Sequence, residues 1–367
     1  MSLARPLPRA IGRGRVTVVA FAALAGIAIV AGSEGGSRLA VAALIGGVAG
    51  VALYHAAFGF AGSWRVFIRE RRSDGLRAQA LLMVATAALS FPLIAYGDTV
   101  GLPASGYVFP FGVAAAAGAF LFGLGMQFGA GCGSGTLFVL GGGSTRMLLT
   151  LAAFVAGCFL ATANLAWWHA LPALPAVSLV ASWGVLPAFL ATAGTLAALA
   201  TLAVTLERRS GRTRPFRPTG SLVAGPWPLT AGALVLAGVG VATLVVLGRP
   251  WGITSGFTLW GGKIAHAFGV PIETWPYWSG QMGAVERSVF ADATSVMDFG
   301  IVAGAMLAAG IGGITGVRLF FWGVLQPIDG CGVGRTLGVA HHIHPRLEAA
   351  EHEGEGGEAR GGGGRGG

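Results

Sequence analysis

The sequence predicts an all-α integral membrane protein, a polytopic helical bundle with pseudo-repeated halves and short re-entrant helices. Three observations predict it. Hydrophobic residues make up 54% of the chain and charged residues 11%, with a mean hydropathy of +0.71, whereas a soluble domain keeps about 25% of its residues charged. Uncharged stretches of ~20 residues recur, the length that crosses a hydrocarbon core ~30 Å thick. Short glycine-bearing segments interrupt the apolar runs at matching places in the two halves.

The apolar runs place spans near 16–32, 38–57, 78–97, 107–128, 148–168, 179–205, 228–248 and 299–326. The first run is too long, and too closely followed by the second, for a cleaved signal peptide, so it reads as a retained span. The net charge of +9 does not point to nucleic acid, because the basic residues lie in short runs between apolar segments. Arg5, Arg9, Arg13 and Arg15 precede the first span, Arg65, Arg69, Arg71, Arg72 and Arg77 follow the second, and Arg208, Arg209, Arg212, Arg214 and Arg217 form a third cluster. Basic loops stay in the cytoplasm. The expectation is an inner-membrane, multi-pass protein with a cytoplasmic N-terminus, loops 64–77 and 206–220 inside, and loops 33–37 and 98–106 outside.

These boundaries divide the chain into a cytoplasmic N-terminus (1–15), a first membrane repeat (16–205), a basic linker (206–227), a second, incomplete repeat (228–340) and a hydrophilic disordered tail (341–367). Two interruptions pair across the linker. Residues 58–68 (FGFAGSWRVFI) and 251–268 (WGITSGFTLWGGKIAHAF) each follow an apolar run and carry a cation, Arg65 and Lys263. Residues 131–143 (GCGSGTLFVLGGG) pair with 330–340 (GCGVGRTLGVA). Irregular backbone at membrane depth lines a cavity or is buried in protein; the competing reading is that the glycines only let helices pack closely.

The densest feature runs from Gly123 to Thr136, where a helix enters a glycine-rich turn centred on Cys132. Amides at Gly131, Gly133 and Gly135, backed by the N-terminus of a following helix, suit an anion. Ser134 adds a hydroxyl, and the Cys132 thiol is a soft, polarisable donor suited to sulfur. A small packing cysteine is the alternative. The run lacks the lysine of a phosphate loop and has no βαβ context, while the 123–129 glycines also fit a helix-pairing face. Cys158 reads as packing. Lys263 is an electrostatic candidate beside the second interruption, Arg65 reads as snorkelling to the interface, and Asp298 reads as the cap of the last helix or a cavity group. Three cysteines are too few for a disulfide framework. His341, His342 and His344 read as tail; no cofactor and no metal is expected.

The segments FGFAGSWR, GAGCGSGTLFVLGGG, PWGITSGFTLWGGK and DATSVMDFG resemble the YeeE/YedE family of bacterial inner-membrane proteins over roughly 40–310. The resemblance implies a pseudo-symmetric bundle with short helices dipping inward from both sides. It also implies thiosulfate passing inward by transient S–H···S contacts along cysteines of a central path, with Cys132 at the position of the family's GGCGSGT-like cysteine. The substrate contacts are then Cys132, Gly131, Gly133, Ser134 and Gly135, with Cys331 and Lys263 as further candidates; the partners are a small sulfur-containing anion, the bilayer and a cytoplasmic sulfurtransferase. Two departures stand out. Gly59 occupies the position of the family's first cysteine, and QPIDGCGVGRTLG with a hydrophilic tail replaces the second-half motif and its following spans, as a truncated or frameshifted frame over the last ~50 residues would produce. The rival readings are a membrane-embedded sulfurtransferase or thiol relay on Cys132, and a non-transporting membrane subunit.

Overall fold

The computed structural model describes residues 13–129, 131–211 and 223–312. Cys331, the second glycine-cysteine motif and the 341–367 tail lie outside the described residues. The helices are α1 (Arg13–Gly35), α2 (Ser37–His55), α3 (Phe60–Glu70), α4 (Asp74–Tyr96), α5 (Val113–Phe128), α6 (Gly133–Gly141), α7 (Arg146–Ala163), α8 (Leu165–His169), α9 (Leu179–Trp183), α10 (Val185–Arg209), α11 (Leu229–Leu247), α12 (Ile253–Ala267), α13 (Met282–Glu286) and α14 (Ala293–Gly312). Strands β1 (Phe111–Gly112) and β2 (Ala173–Leu174) form one short antiparallel pair.

Among the described residues eight helical stretches are long and apolar enough to cross a membrane, matching the eight predicted spans in number and order. The chain is a multi-pass membrane protein. Several boundaries differ, three of them for a local reason. The span expected at 179–205 is broken at Gly184, whose φ of +82° no helix accommodates, so α9 and α10 meet there. The span expected from 107 begins at Val113, because Phe111 and Gly112 are held in the strand pair. The last span begins at Ala293 instead of 299, since Asp292 caps it: the Asp292 carboxylate accepts from the Ser295 amide and hydroxyl, each at 2.7 Å.

The centre of the bundle is a crossing of α2 and α14 built on glycine. A methyl group at Gly46, Gly50, Gly300 or Gly304 would run into backbone of the opposite helix, at Met297, Ile301, Ala43 and Gly47 respectively. In a bilayer, where lipid tails are as apolar as leucine, such close backbone approach drives helix association. A similar sequence of helices packs at two places. Helix α2 packs on α14 and α11 on α4, while α2 and α11 pack on each other. Both α2 and α11 are followed by a short helix, α3 and α12, with a glycine N-cap, Gly59 and Gly252. The outer helices α5 and α10 point large apolar side chains outward, Phe128 at 90% exposure for one, as a lipid-facing surface does.

Arg69, Arg71 and Arg72 fall at the same end as Arg208 and Arg209. Ser73, just before α4, bonds through its amide and hydroxyl to Glu207 in the last turn of α10. Trp227, before α11, donates to the His55 carbonyl at the end of α2. At the opposite end Arg38 donates to the Val246 carbonyl of α11 at 3.0 Å, and Ser105 donates to Gly248.

Candidate site at the Cys132 turn

The chain leaves α5 and turns through Gly129 and Gly131 before α6 begins at Gly133. Cys132 is the N-cap residue of α6, in extended conformation (φ −85°, ψ −175°). Its carbonyl starts the helix by accepting from the Thr136 amide at 2.8 Å and the Thr136 hydroxyl at 3.0 Å. The first amides of a helix have no acceptor within it, so those of Gly133, Ser134 and Gly135 point toward the Cys132 side, where the helix dipole is positive. The thiol turns back over this first turn: Sγ lies 3.4 Å from Ser134 Oγ and 3.5 Å from where a Cβ on Gly135 would stand.

Neighbouring elements explain the glycines. Gly133 is buried against α12, where an added methyl would meet Ile253 Cγ2 at 3.2 Å and the Phe257 ring at 3.5 Å. Gly131 packs on the backbone of Gly135 and Thr136 at 3.4 Å by the same measure. At the other end of α6, Gly141 abuts the Val302 carbonyl of α14, and Gly142 lies under the Tyr54 ring of α2. Thr136 and Leu137 are buried, while Cys132 and Ser134 are half-buried. The arrangement offers backbone amides, a hydroxyl and a soft thiol at one half-open helix start, a chemistry fitted to an anion with a polarisable atom.

The other candidates are dispersed. Lys263 sits ten residues along α12 from Ile253, about 15 Å by helical rise, and its ammonium donates to the carbonyls of Val285, at 2.7 Å, and Arg287. Arg65 of α3 donates to Gln127 Oε1 in the last turn of α5 at 3.4 Å, close in sequence to the Cys132 turn. Cys158 of α7 packs on the central cluster with Thr258 of α12 beside it, as a packing residue does. Gly123 and Gly125 face open space. Two apolar grooves of about 500 and 360 Å³ meet at Trp260, along α7 and α12 and along α6 and α14, and Cys132 lines neither.

Of the two expectations for Asp298, helix cap or cavity group, the cap belongs to Asp292, and Asp298 lies in the second turn of α14, fully buried. Among the described residues neither of its carboxyl oxygens has a hydrogen-bond partner. The signal in the sequence was an acid followed directly by FGIVAGAML; its depth depends on where α14 starts, which the Asp292 cap decides.

No curated protein matches the chain. A family model described as sulphur transport matches residues 55–323, which takes in α3 to α14 and the Cys132 turn, and the chain therefore belongs to that sulphur transport family, the YeeE/YedE family.

Proposed function

We propose that this sulfur-compound transporter carries thiosulfate inward across the inner membrane, with Cys132 as its central contact. The observation that carries the reading is the placement of the thiol as N-cap of α6, beside the Ser134 hydroxyl. A thiosulfate ion has three hard oxygens for the amides and hydroxyl and one soft terminal sulfur for the S–H. Passage needs no covalent step, so the chain acts as a permease and not as an enzyme. Gly131, Gly133 and Gly135 serve by letting backbone come close. Lys263, bound to loop carbonyls, serves the fold of the 268–292 segment in this reading, and a cytoplasmic sulfurtransferase receives the ion.

Orientation follows from charge. The ends of α3 and α10 carry Arg69, Arg71, Arg72, Arg208 and Arg209, and the Ser73–Glu207 contact holds them at one face. The positive-inside rule makes that face cytoplasmic.

The test is uptake of labelled thiosulfate by cells lacking their own uptake systems. Expression of this chain is expected to restore it. Hydrogen bonds to charged groups contribute about 1.5–3 kcal/mol, so Cys132→Ala is expected to slow uptake about 10- to 100-fold. Uptake that survives the substitution unchanged removes the thiol from the pathway, and sulfate carried as well as thiosulfate removes the role of the soft sulfur.

A further inference from the structure

Asp298 and the Cys132 turn both pack against the first turns of α12. Neighbouring residues of α12 touch the two: Ile253 and Phe257 pack on Gly133 of α6, while Gly256 packs on Asp298 of α14. A methyl group at Gly256 would stand 2.7 Å from Asp298 Oδ2, so a glycine is required for the carboxyl to lie against the α12 backbone. The Trp251 indole N–H, just before α12, lies toward the carboxyl without reaching hydrogen-bond geometry, and it too lacks a partner among the described residues. The next contact along, Trp260 Nε1 to Ser295 Oγ at 2.8 Å, ties α12 to the cap of α14.

An ionisable side chain buried among membrane helices is costly, and such groups mark ion pathways and proton relays. A carboxyl without donors is satisfied by a proton or by a cation. Metal cations take several oxygen ligands. The Asp298 carboxyl lies against Gly256, which the Thr294 methyl also meets, with an indole N–H toward it, and no cluster of three acidic, histidine or cysteine side chains able to hold a metal occurs among the described residues. A proton fits this setting.

The charged and titratable neighbours are few. Asp292, held by Ser295, is close enough to act on Asp298 electrostatically. Helix α12 contributes Lys263, which binds the Val285 and Arg287 carbonyls, and His266 in its last turn. Helix α6 has no titratable side chain, and α2 meets this stretch of α14 through Ala43, Gly46 and Gly47, with its own Arg38, Tyr54 and His55 at its ends. On α1, Arg15 and Glu34 also lie near its ends.

We infer that Asp298 is a proton-binding site of the transport cycle: its carboxylate takes up a proton from the outer aqueous phase and releases it on the inner side as the anion crosses, α12 linking the two events. Each proton carried inward cancels one negative charge of the anion, which would otherwise move against an inside-negative potential. The inference rests on the thiosulfate reading above and supplies its coupling ion.

The full chain, purified and reconstituted into liposomes containing a pH-sensitive dye, separates the two. Thiosulfate exchange at equal pH on both sides tests the substrate; acidification of the lumen on thiosulfate addition, and faster net uptake when the outside is made acidic, test the proton. Wild-type protein is expected to show all three. Asp298→Asn is expected to lose lumen acidification and at least tenfold of the acid stimulation while still exchanging thiosulfate at a reduced rate, and the exposed Asp98→Asn control to keep both. Gly256→Ala, which crowds the carboxyl, is expected to shift the pH midpoint of uptake, and this variant decides the location if Asp298→Asn does not fold. Wild-type exchange without lumen acidification overturns the inference, as does full acid stimulation in Asp298→Asn or an unmoved midpoint in folded Gly256→Ala. Absence of exchange in the wild type removes the substrate reading and this inference with it.

Discussion

Gly304 of α14 lies directly on the carbonyl of Gly47 in α2, with no space for even one methyl group between them. The opposing atoms are backbone and cannot rotate away, so the crossing itself has to open when a side chain is added. Overpacking of this kind costs about 1–3 kcal/mol and sometimes more. Gly304→Ala is therefore expected to lower the unfolding temperature in detergent and to reduce the monodisperse yield. Gly118→Ala, where nothing lies within 4 Å, is the matched control and is expected to change neither. Equal behaviour of the two variants would mean that the α2–α14 crossing does not hold the bundle.

The Gly133–Ile253 contact makes a separable prediction. Gly133→Ala places a methyl 3.2 Å from Ile253 Cγ2, which is the end of a side chain and can be shortened. The single variant is expected to destabilise by about 1–2 kcal/mol, and Ile253→Ala in the same chain to recover part of that loss, a coupling of about 0.5–3 kcal/mol in a double-mutant cycle. Strictly additive effects on the unfolding temperature would show that α6 and α12 do not press on each other there.

Lys263 distinguishes a structural from an electrostatic role. Its two carbonyl acceptors lie on the segment that leads from α12 to α14. Lys263→Met is expected to cost about 1.5–3 kcal/mol, as the loss of charged hydrogen bonds does, with the KM for thiosulfate retained. A KM raised tenfold at unchanged stability would return the ammonium to the path of the anion.

The shared end of α4 and α10 predicts a labelling pattern. In a chain with Cys132, Cys158 and Cys331 replaced, Ser210→Cys and Arg71→Cys are expected to react with a membrane-impermeant maleimide only after the cells are opened. Thr99→Cys, in the turn after α4, is expected to react from outside. Labelling of Ser210→Cys and Thr99→Cys from the same side would contradict the packing of α4 against α10.

Much of this architecture is one-dimensional in origin. A bilayer demands about 20 apolar residues per crossing, so the eight spans are legible as runs of composition, and the break at Cys132 is legible because glycines, a cysteine and two hydroxyls stand together in 131–136. Membership of the sulphur transport family follows from the same local strings. What tertiary structure alone decided are the relations between residues far apart in the chain. Of 63 glycines, sequence cannot separate Gly304, pressed on α2, from Gly118, which faces open space, because the difference is the position of another helix. The place of Asp298 has the same cause: the start of the apolar run makes it look like a cap, and only the hydrogen bonds of Ser295 to Asp292, six residues earlier, fix where α14 begins. Once that start is set, the helical rise of about 1.5 Å per residue carries Asp298 into the core beside Gly256, and an acid that reads as a helix end becomes a buried one.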